Sequence, residues 1–160
     1  MVEGFFGFPK FYKLLADSLE DYSVVVEIGT HLGKSAIFLA DAIRFQNKKV
    51  EFYTIDIWPD NTYPVFMQGI NSMGLGKYIM PIRERSEHVV HAFRPESVDC
   101  VFMDLEPSEE ALQLWRQRLK PGGLLAGHDF SKLCVQDVVL KVSAGHYLYF
   151  KNEDVWVITK

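Results

Sequence analysis

Two spacings of apolar residues take turns along the chain. Val24-Val25-Val26-Glu27-Ile28 is a short, mostly β-branched run, and Ser35 to about Phe45 then sets its apolar residues at helical spacing. The exchange repeats. Strands are predicted over Ser23–Ile28, Glu51–Asp56, Tyr78–Arg83 and Val98–Asp104, with Leu124–Asp129 as a fifth strand and its exit. Helices are predicted over Phe8–Ser18, with Pro9 in its first turn, and over Ser35–Phe45, Val65–Met73, Glu87–Ala92, Glu109–Leu119 and Val135–Val142. Leu112, Trp115 and Leu119 form one apolar stripe, and Pro121-Gly122-Gly123 stops that helix. His146–Lys151 and Val155–Thr159, joined at Asn152-Glu153-Asp154, read as a closing hairpin. Alternating strand and helix predict a mostly parallel α/β sheet with helices on both faces.

Composition fits this picture. A chain of 160 residues with 48% apolar content can bury a sizeable core, and no repeat or linker divides it, so a single domain over residues 1–160 is expected, with 1–20 as an N-terminal helical segment. The net charge of −4 and the absence of a Lys/Arg block argue against nucleic acid as the main partner. Cys100 and Cys134 lack C-x-x-C spacing, and Cys100 reads as a small core residue. The N-terminus lacks a basic-then-apolar leader pattern, and no apolar run approaches the ~18 residues of a membrane helix. A soluble, cytoplasmic protein with no membrane contact is the expectation.

The most telling segment is Glu27-Ile28-Gly29-Thr30-His31-Leu32-Gly33-Lys34-Ser35, a strand, a glycine turn and a helix start. His31 stands where a dinucleotide loop needs its second glycine. Gly33-Lys34-Ser35 resembles the end of a phosphate loop, but Ile28 occupies the place of that loop's first glycine, so the loop is one residue short. The remaining pattern is E-x-G-x-x-x-G. A second acid, Asp56, ends the next strand, where a carboxylate can accept hydrogen bonds from ribose hydroxyls. Capping or turning the chain is the plainer role for Asp56.

Glu27, Gly29 and Gly33, then Asp56, Asp104, Leu119 to Gly123 and Gly127-His128-Asp129 occur in one order. In this the chain resembles the class I S-adenosylmethionine-dependent methyltransferases, in the small-molecule O-methyltransferase branch whose fifth strand ends in Gly-His-Asp. The resemblance spans roughly residues 20 to 160. It implies a Rossmann-like, seven-stranded sheet in which the C-terminal hairpin inserts one antiparallel strand. It implies S-adenosylmethionine as cofactor and a small-molecule acceptor, a sugar or a phenol. Glu27, Gly29, Thr30 and Gly33 would lie under the cofactor's methionine part, the acid organising the loop and meeting the amino group while the glycines admit the amino-acid portion. Asp56 would take the ribose, Ile57 the adenine face, Ser86 the adenine edge, and Asp104 would sit beside the reactive methyl. For Ser86-Glu87 plain helix capping is an equal reading. Relatives often read Asp-Gly-Asp-His after the fourth strand, whereas this chain reads Asp104-Leu105-Glu106-Pro107, with Pro107 in place of the histidine. That stretch also lacks the Pro-Pro-aromatic tract of the nucleobase amino-methyltransferases.

Methyl transfer to oxygen requires alignment and loss of a proton. His128 is the candidate base, its ordinary pKa of ~6.5 lying near working pH. The alternative is a magnesium-like cation held by Asp104, His128 and Asp129, or by Asp104, Glu106 and Asp129. In the plainest reading His128 and Asp129 only shape a turn. Trp58, Tyr63 and Phe66 could wall the acceptor pocket or pack a loop, and His31 could meet the cofactor carboxylate or face solvent. Phe5, Phe6 and Phe8 could cover the acceptor site or form an oligomer contact such as that of a homodimer. His88 and His91 read as surface, and Met67, Met73, Met80 and Met103 as core filling. Two other functions stay in view: a phosphate-loop-like NTPase, and a degenerate cofactor-binding interaction module.

Overall fold

The computed structural model describes residues 5–160, apart from the side chain of Asp60. Its strands are β1 (Val24–Ile28), β2 (Glu51–Asp56), β3 (Met80–Arg83), β4 (Val98–Met103), β5 (Leu119–Gly127), β6 (Leu148–Phe150) and β7 (Val155–Thr159). The helices are α1 (Pro9–Ser18), α2 (Lys34–Phe45), α3 (Thr62–Ser72), the one-turn α4 (Ser86–Val89), α5 (Glu109–Arg118) and α6 (Leu133–Ser143). One seven-stranded sheet runs in the order β3-β2-β1-β4-β5-β7-β6. The pairs β3-β2, β2-β1, β1-β4 and β4-β5 are parallel, and β7 enters antiparallel between β5 and β6. This is the Rossmann-like arrangement, mostly parallel with the terminal hairpin supplying the antiparallel strand.

The two faces of the sheet build two cores. Val25, Phe52, Cys100, Phe102, Ala126 and Val157 pack with residues of α1, α2 and α3. Val26, Ile28, Ile55, Val101, Met103, Leu125 and Trp156 pack with residues of α5 and α6 on the other face. Strands buried on both faces read as nearly continuous apolar runs, as β1 and β4 do. Trp58, Trp115 and Trp156 are fully buried, each removal from water contributing about 2–3 kcal/mol. Burial pushes the Cys100 thiol up to about 12, so it is an inert core residue as expected, while Cys134 is exposed. Met103 is also core, whereas Met73 is exposed. No helix among the described residues is long and apolar enough to cross a membrane.

Two of the differences from the expected element boundaries involve proline. Helix α3 starts at Thr62 rather than Val65, after a 3₁₀ turn over Pro59–Asn61. Pro64 falls in the first turn, where the missing N–H breaks no intrahelical bond, so it does not delay the helix. Likewise Pro121-Gly122-Gly123 lies within β5, which begins at Leu119 as soon as α5 ends. The β4–β5 register shifts between Val98 and Cys100 to absorb the irregularity. A Cβ at Gly123 would come within 2.9 Å of the Lys120 carbonyl oxygen, and the Lys160 N–H donates to the Gly123 carbonyl at 3.0 Å.

Helix α1 has no side-chain cap of its own. Instead Glu153, in the turn between β6 and β7, accepts from the Lys10 N–H at 2.7 Å and the Phe11 N–H at 2.8 Å. A carboxylate against a helix N-terminus satisfies orphan donors and complements the helix dipole. Glu153→Ala is therefore expected to lower stability by about 1–2 kcal/mol, read from the midpoint of urea unfolding at an unchanged slope.

Candidate active site

The glycine turn is shaped by backbone crowding. Gly29 has φ +89°, and a Cβ there would come 2.5 Å from the Asp104 carbonyl oxygen, so β1 and β4 leave their exits almost in contact. The Gly33 N–H closes the turn on the Thr30 carbonyl at 2.8 Å, and Gly33, at φ +79°, precedes α2 as its N-cap. A Cβ at Gly33 would lie 2.3 Å from the Phe66 ring. Gly33 thus makes room for a core aromatic.

Asp56 ties this turn to the exit of β2. One carboxylate oxygen accepts from the His31 N–H at 2.8 Å and the other from the Trp58 N–H at 2.7 Å. Trp58 returns the link through its indole N–H, which donates to the His31 carbonyl at 2.7 Å. Both His31 (φ +48°) and Trp58 (φ +45°) are left-handed, a conformation that costs about 1–3 kcal/mol and persists only where surroundings impose it. Trp58 stacks on Phe66 at 5.0 Å, and both are fully buried, so they pack the loop; Tyr63 is half-buried beneath the Arg83 guanidinium. None of the three lines the cavities described next.

Two cavities open at the carboxyl ends of β1, β2 and β4. The larger, about 370 Å³, is lined by Gly29, Asp56, Ile57, Ser86, Asp104 and Leu105 among others. The smaller, about 210 Å³, is lined by Phe5, Gly29, Thr30, Gly33, Ser35 and Asp104 among others. Gly29, His31 and Asp104 border both. This is the crevice at the reversal of strand order, where open α/β sheets place ligands. The Ser86 hydroxyl, 3.3 Å from a Glu87 carboxylate oxygen, caps no helix; Arg85 is the N-cap of α4 and makes no side-chain cap bond.

Glu27 stands apart from the other predicted cofactor residues. It is fully buried beneath the turn and borders neither cavity. Its carboxylate accepts from the Tyr12 hydroxyl at 2.6 Å and the Ser35 hydroxyl at 3.1 Å. Burial pushes its pKa up from the ordinary 4.5 to about 7, with Asp104 adding to the rise and the two hydroxyl bonds opposing it.

His128, at the exit of β5, is almost fully buried against Phe5 and Phe8, with ring centroids 5.7 and 5.1 Å away. Its Nδ1 lies 3.1 Å from an Asp129 carboxylate oxygen and 3.4 Å from one of Asp104. Burial draws its pKa down, but the carboxylates of Asp104, Asp129 and Asp154 outweigh that and leave it raised. Asp129, at φ +63°, has its other oxygen 2.7 Å from the Lys132 ammonium, which also lies 3.6 Å from Glu106. Among the described residues, the ligand atoms that come within 4.8 Å of one another belong to His128, Asp129 and Asp154, not to either acid set read from the sequence. Asp154 already accepts from the Ser131 N–H and hydroxyl and from the Tyr149 hydroxyl. With Asp154 satisfied and Asp129 facing a lysine, the donor set fits a hard divalent cation poorly.

The sequence signal did not reach Asp154, because it meets His128 only when β7 inserts beside β5. Tyr12 was equally silent, an aromatic in an amphipathic helix. Pro107, the departure from the resembled pattern, is buried just before Ser108, whose hydroxyl accepts from the Ala111 N–H and caps α5. Phe5 is largely exposed at the smaller cavity, whereas Phe8 is core and Phe6 packs against Phe38. His88 pairs with Glu84 on the surface, and His91 is exposed.

Residues 26–130 match the family model described as a methyltransferase domain, and the chain belongs to that family. This removes the phosphate-loop NTPase alternative. No curated protein matches the chain in sequence. Solved structures share its fold. A methyltransferase from Podospora anserina with S-adenosylhomocysteine bound has a TM-score of 0.75 at 17% identity, covering 95% of this chain and 77% of that one. A SAM-dependent O-methyltransferase from Thermotoga maritima scores 0.72 at 16% identity, covering 100% and 68%. An rRNA methylase from Streptococcus thermophilus scores 0.68 at 20% identity, covering 99% and 96%. The chain is a methyltransferase of the Rossmann-like class.

The raised Glu27 carboxyl makes a prediction for stability. The folded chain holds this proton more tightly than the unfolded chain, so its contribution is fully present below about pH 4.5 and is lost as pH rises through about 7. Glu27→Gln removes the titration. The stability of wild type relative to Glu27→Gln should fall by on the order of 3 kcal/mol between pH 4.5 and 8, measured by urea unfolding across that range.

Proposed function

We propose that this chain, acting as one domain, transfers a methyl group from S-adenosylmethionine to a hydroxyl oxygen of a small molecule, with His128 as general base. The observation that carries the reading is His128 Nδ1 held by Asp104 and Asp129 while Asp104 also borders both cavities.

The residues lining the cavities fit the cofactor. Gly29, whose Cβ position is taken up by the Asp104 carbonyl, lets the turn close on β4 with its backbone bordering both cavities. Each Asp56 oxygen accepts one backbone N–H and retains a lone pair for a ribose hydroxyl. Ile57, half-exposed, and Leu105 offer apolar surface to the adenine, with Ser86 at its edge. Thr30, Gly33 and the start of α2 border the smaller cavity, which suits the amino-acid portion. The cofactor supplies a methyl group activated by its sulfonium.

The chain then has to orient an acceptor oxygen and take its proton. A proton on Nδ1, facing the two carboxylates, leaves the lone pair on Nε2, which lies beside Gly7, to accept another, the arrangement in which a carboxylate fixes the tautomer of a catalytic imidazole. No step is assigned to a metal, given the poor fit of its donor set. Glu84, Glu87, Asp104 and Glu106 outnumber Lys34, Arg85 and Lys132 around the site, which disfavours a polyanionic acceptor such as RNA and favours a small one. A soluble, cytoplasmic setting agrees with this reading.

Calorimetric titration with S-adenosylhomocysteine tests the cofactor site. Wild type should bind at micromolar Kd, and Asp56→Ala, checked for an intact unfolding transition, should lose at least tenfold. A folded wild type that binds none refutes the reading and leaves the degenerate interaction module. With an acceptor found by screening phenols and sugars, His128→Ala should retain that affinity and lose about 10²–10⁴ in rate. The wild-type rate should rise with pH as His128 gives up its proton, with a midpoint above the ordinary 6.5.

A further inference from the structure

Tyr12 is fully buried in α1, with its ring edge-on to Phe8 and Phe102 at centroid distances of 4.9 Å. A phenylalanine would make the same contacts. The hydroxyl is what distinguishes the residue, and it is committed to Glu27 at 2.6 Å. The Ser35 hydroxyl holds the other Glu27 oxygen at 3.1 Å, so α1 and α2 grip one carboxylate from two sides. That carboxylate lies on β1 two residues before Gly29, under the turn that borders both cavities. A buried acid costs desolvation that an apolar side chain would avoid, so stability alone does not account for it. The α1 helix that delivers Tyr12 is itself fixed at its N-terminus by Glu153.

We propose that Tyr12 is a positioning residue for cofactor binding: by holding Glu27 it fixes the Gly29–Gly33 turn, making α1 part of the binding machinery. The inference rests on the reading of that turn as the S-adenosylmethionine site. Above about pH 7, where Glu27 is ionised, a hydrogen bond to its charged carboxylate is worth enough that its loss costs about tenfold or more in an equilibrium that depends on it.

The test combines Tyr12→Phe with S-adenosylhomocysteine titration well below the unfolding temperature of each variant. Tyr12→Phe is expected to weaken binding about tenfold or more, and to shift the Gly29 and Gly33 amide resonances of the unliganded protein while those of β5 and β7 stay in place. Ser35→Ala should weaken binding by less, and the double variant by less than the product of the two, because both hydroxyls act through one carboxylate. Affinity within twofold of wild type, unmoved Gly29 and Gly33 resonances, or strictly multiplicative losses would each overturn the proposal. A folded wild type that binds no S-adenosylhomocysteine overturns the cofactor reading and this inference with it, whereas a binding wild type with an indifferent Tyr12→Phe overturns this inference alone.

Discussion

Gly29 and the carbonyl of Asp104 approach so closely that no side chain fits between them, and the site is arranged around this contact. The Gly29 N–H donates to the Ile55 carbonyl at 2.9 Å, and the Asp104 N–H donates to the Ile28 carbonyl at 2.8 Å. The exits of β1, β2 and β4 are thereby zipped together by backbone. Chains leaving this edge must diverge, with α2 turning to one face and the Leu105–Ser108 stretch leading to α5 on the other. The crevice they leave is where both cavities open. Any residue larger than glycine would force β1 and β4 apart and take the Asp104 carboxylate away from His128.

Five of the nine non-glycine residues with positive φ among the described residues lie at this same edge. His31, Trp58, Asn61, Asp129 and Asp154 all hold left-handed backbone without being glycine. Hydrogen bonds across the edge impose the conformation in at least two cases. Asp56 receives the N–H groups of both His31 and Trp58, and the Trp58 indole is anchored under full burial. A loop held this way is pre-organised, so little ordering remains to oppose ligand binding. Asp56 is therefore both the ribose acid of the proposed site and the buckle of the loop that forms it.

The hairpin at the end of the chain links the two halves of the site. Inserting β7 beside β5 brings the adjacent residues Glu153 and Asp154 to different tasks. Glu153 caps α1, which carries Tyr12 to Glu27, while Asp154 binds Ser131 and fixes the loop that follows His128. The Gly29–Gly33 turn and His128 are thus supported from one short 3₁₀ turn far away in sequence.

Hydrophobic spacing alone determined the strands, most of the helices and the closing hairpin, because those patterns follow from burial on one face or two. The glycine turn and the strand-end acid marked Gly29 and Asp56, and the resemblance to the methyltransferases marked Asp104 and His128, because chemistry at strand ends depends on residue types that stand out against an apolar background. Boundaries at Pro64 and Pro121 were misread because local propensity yields to helix-end geometry and to a register shift. Tertiary structure alone decided that Trp58 and Phe66 belong to the core, that Gly33 serves Phe66, and that Glu27 lies beneath the turn. It also decided that Asp154 joins His128. Each of these depends on which residues distant in the chain become neighbours, and that is set by strand order and packing, to which the spacing of residues along one segment is blind.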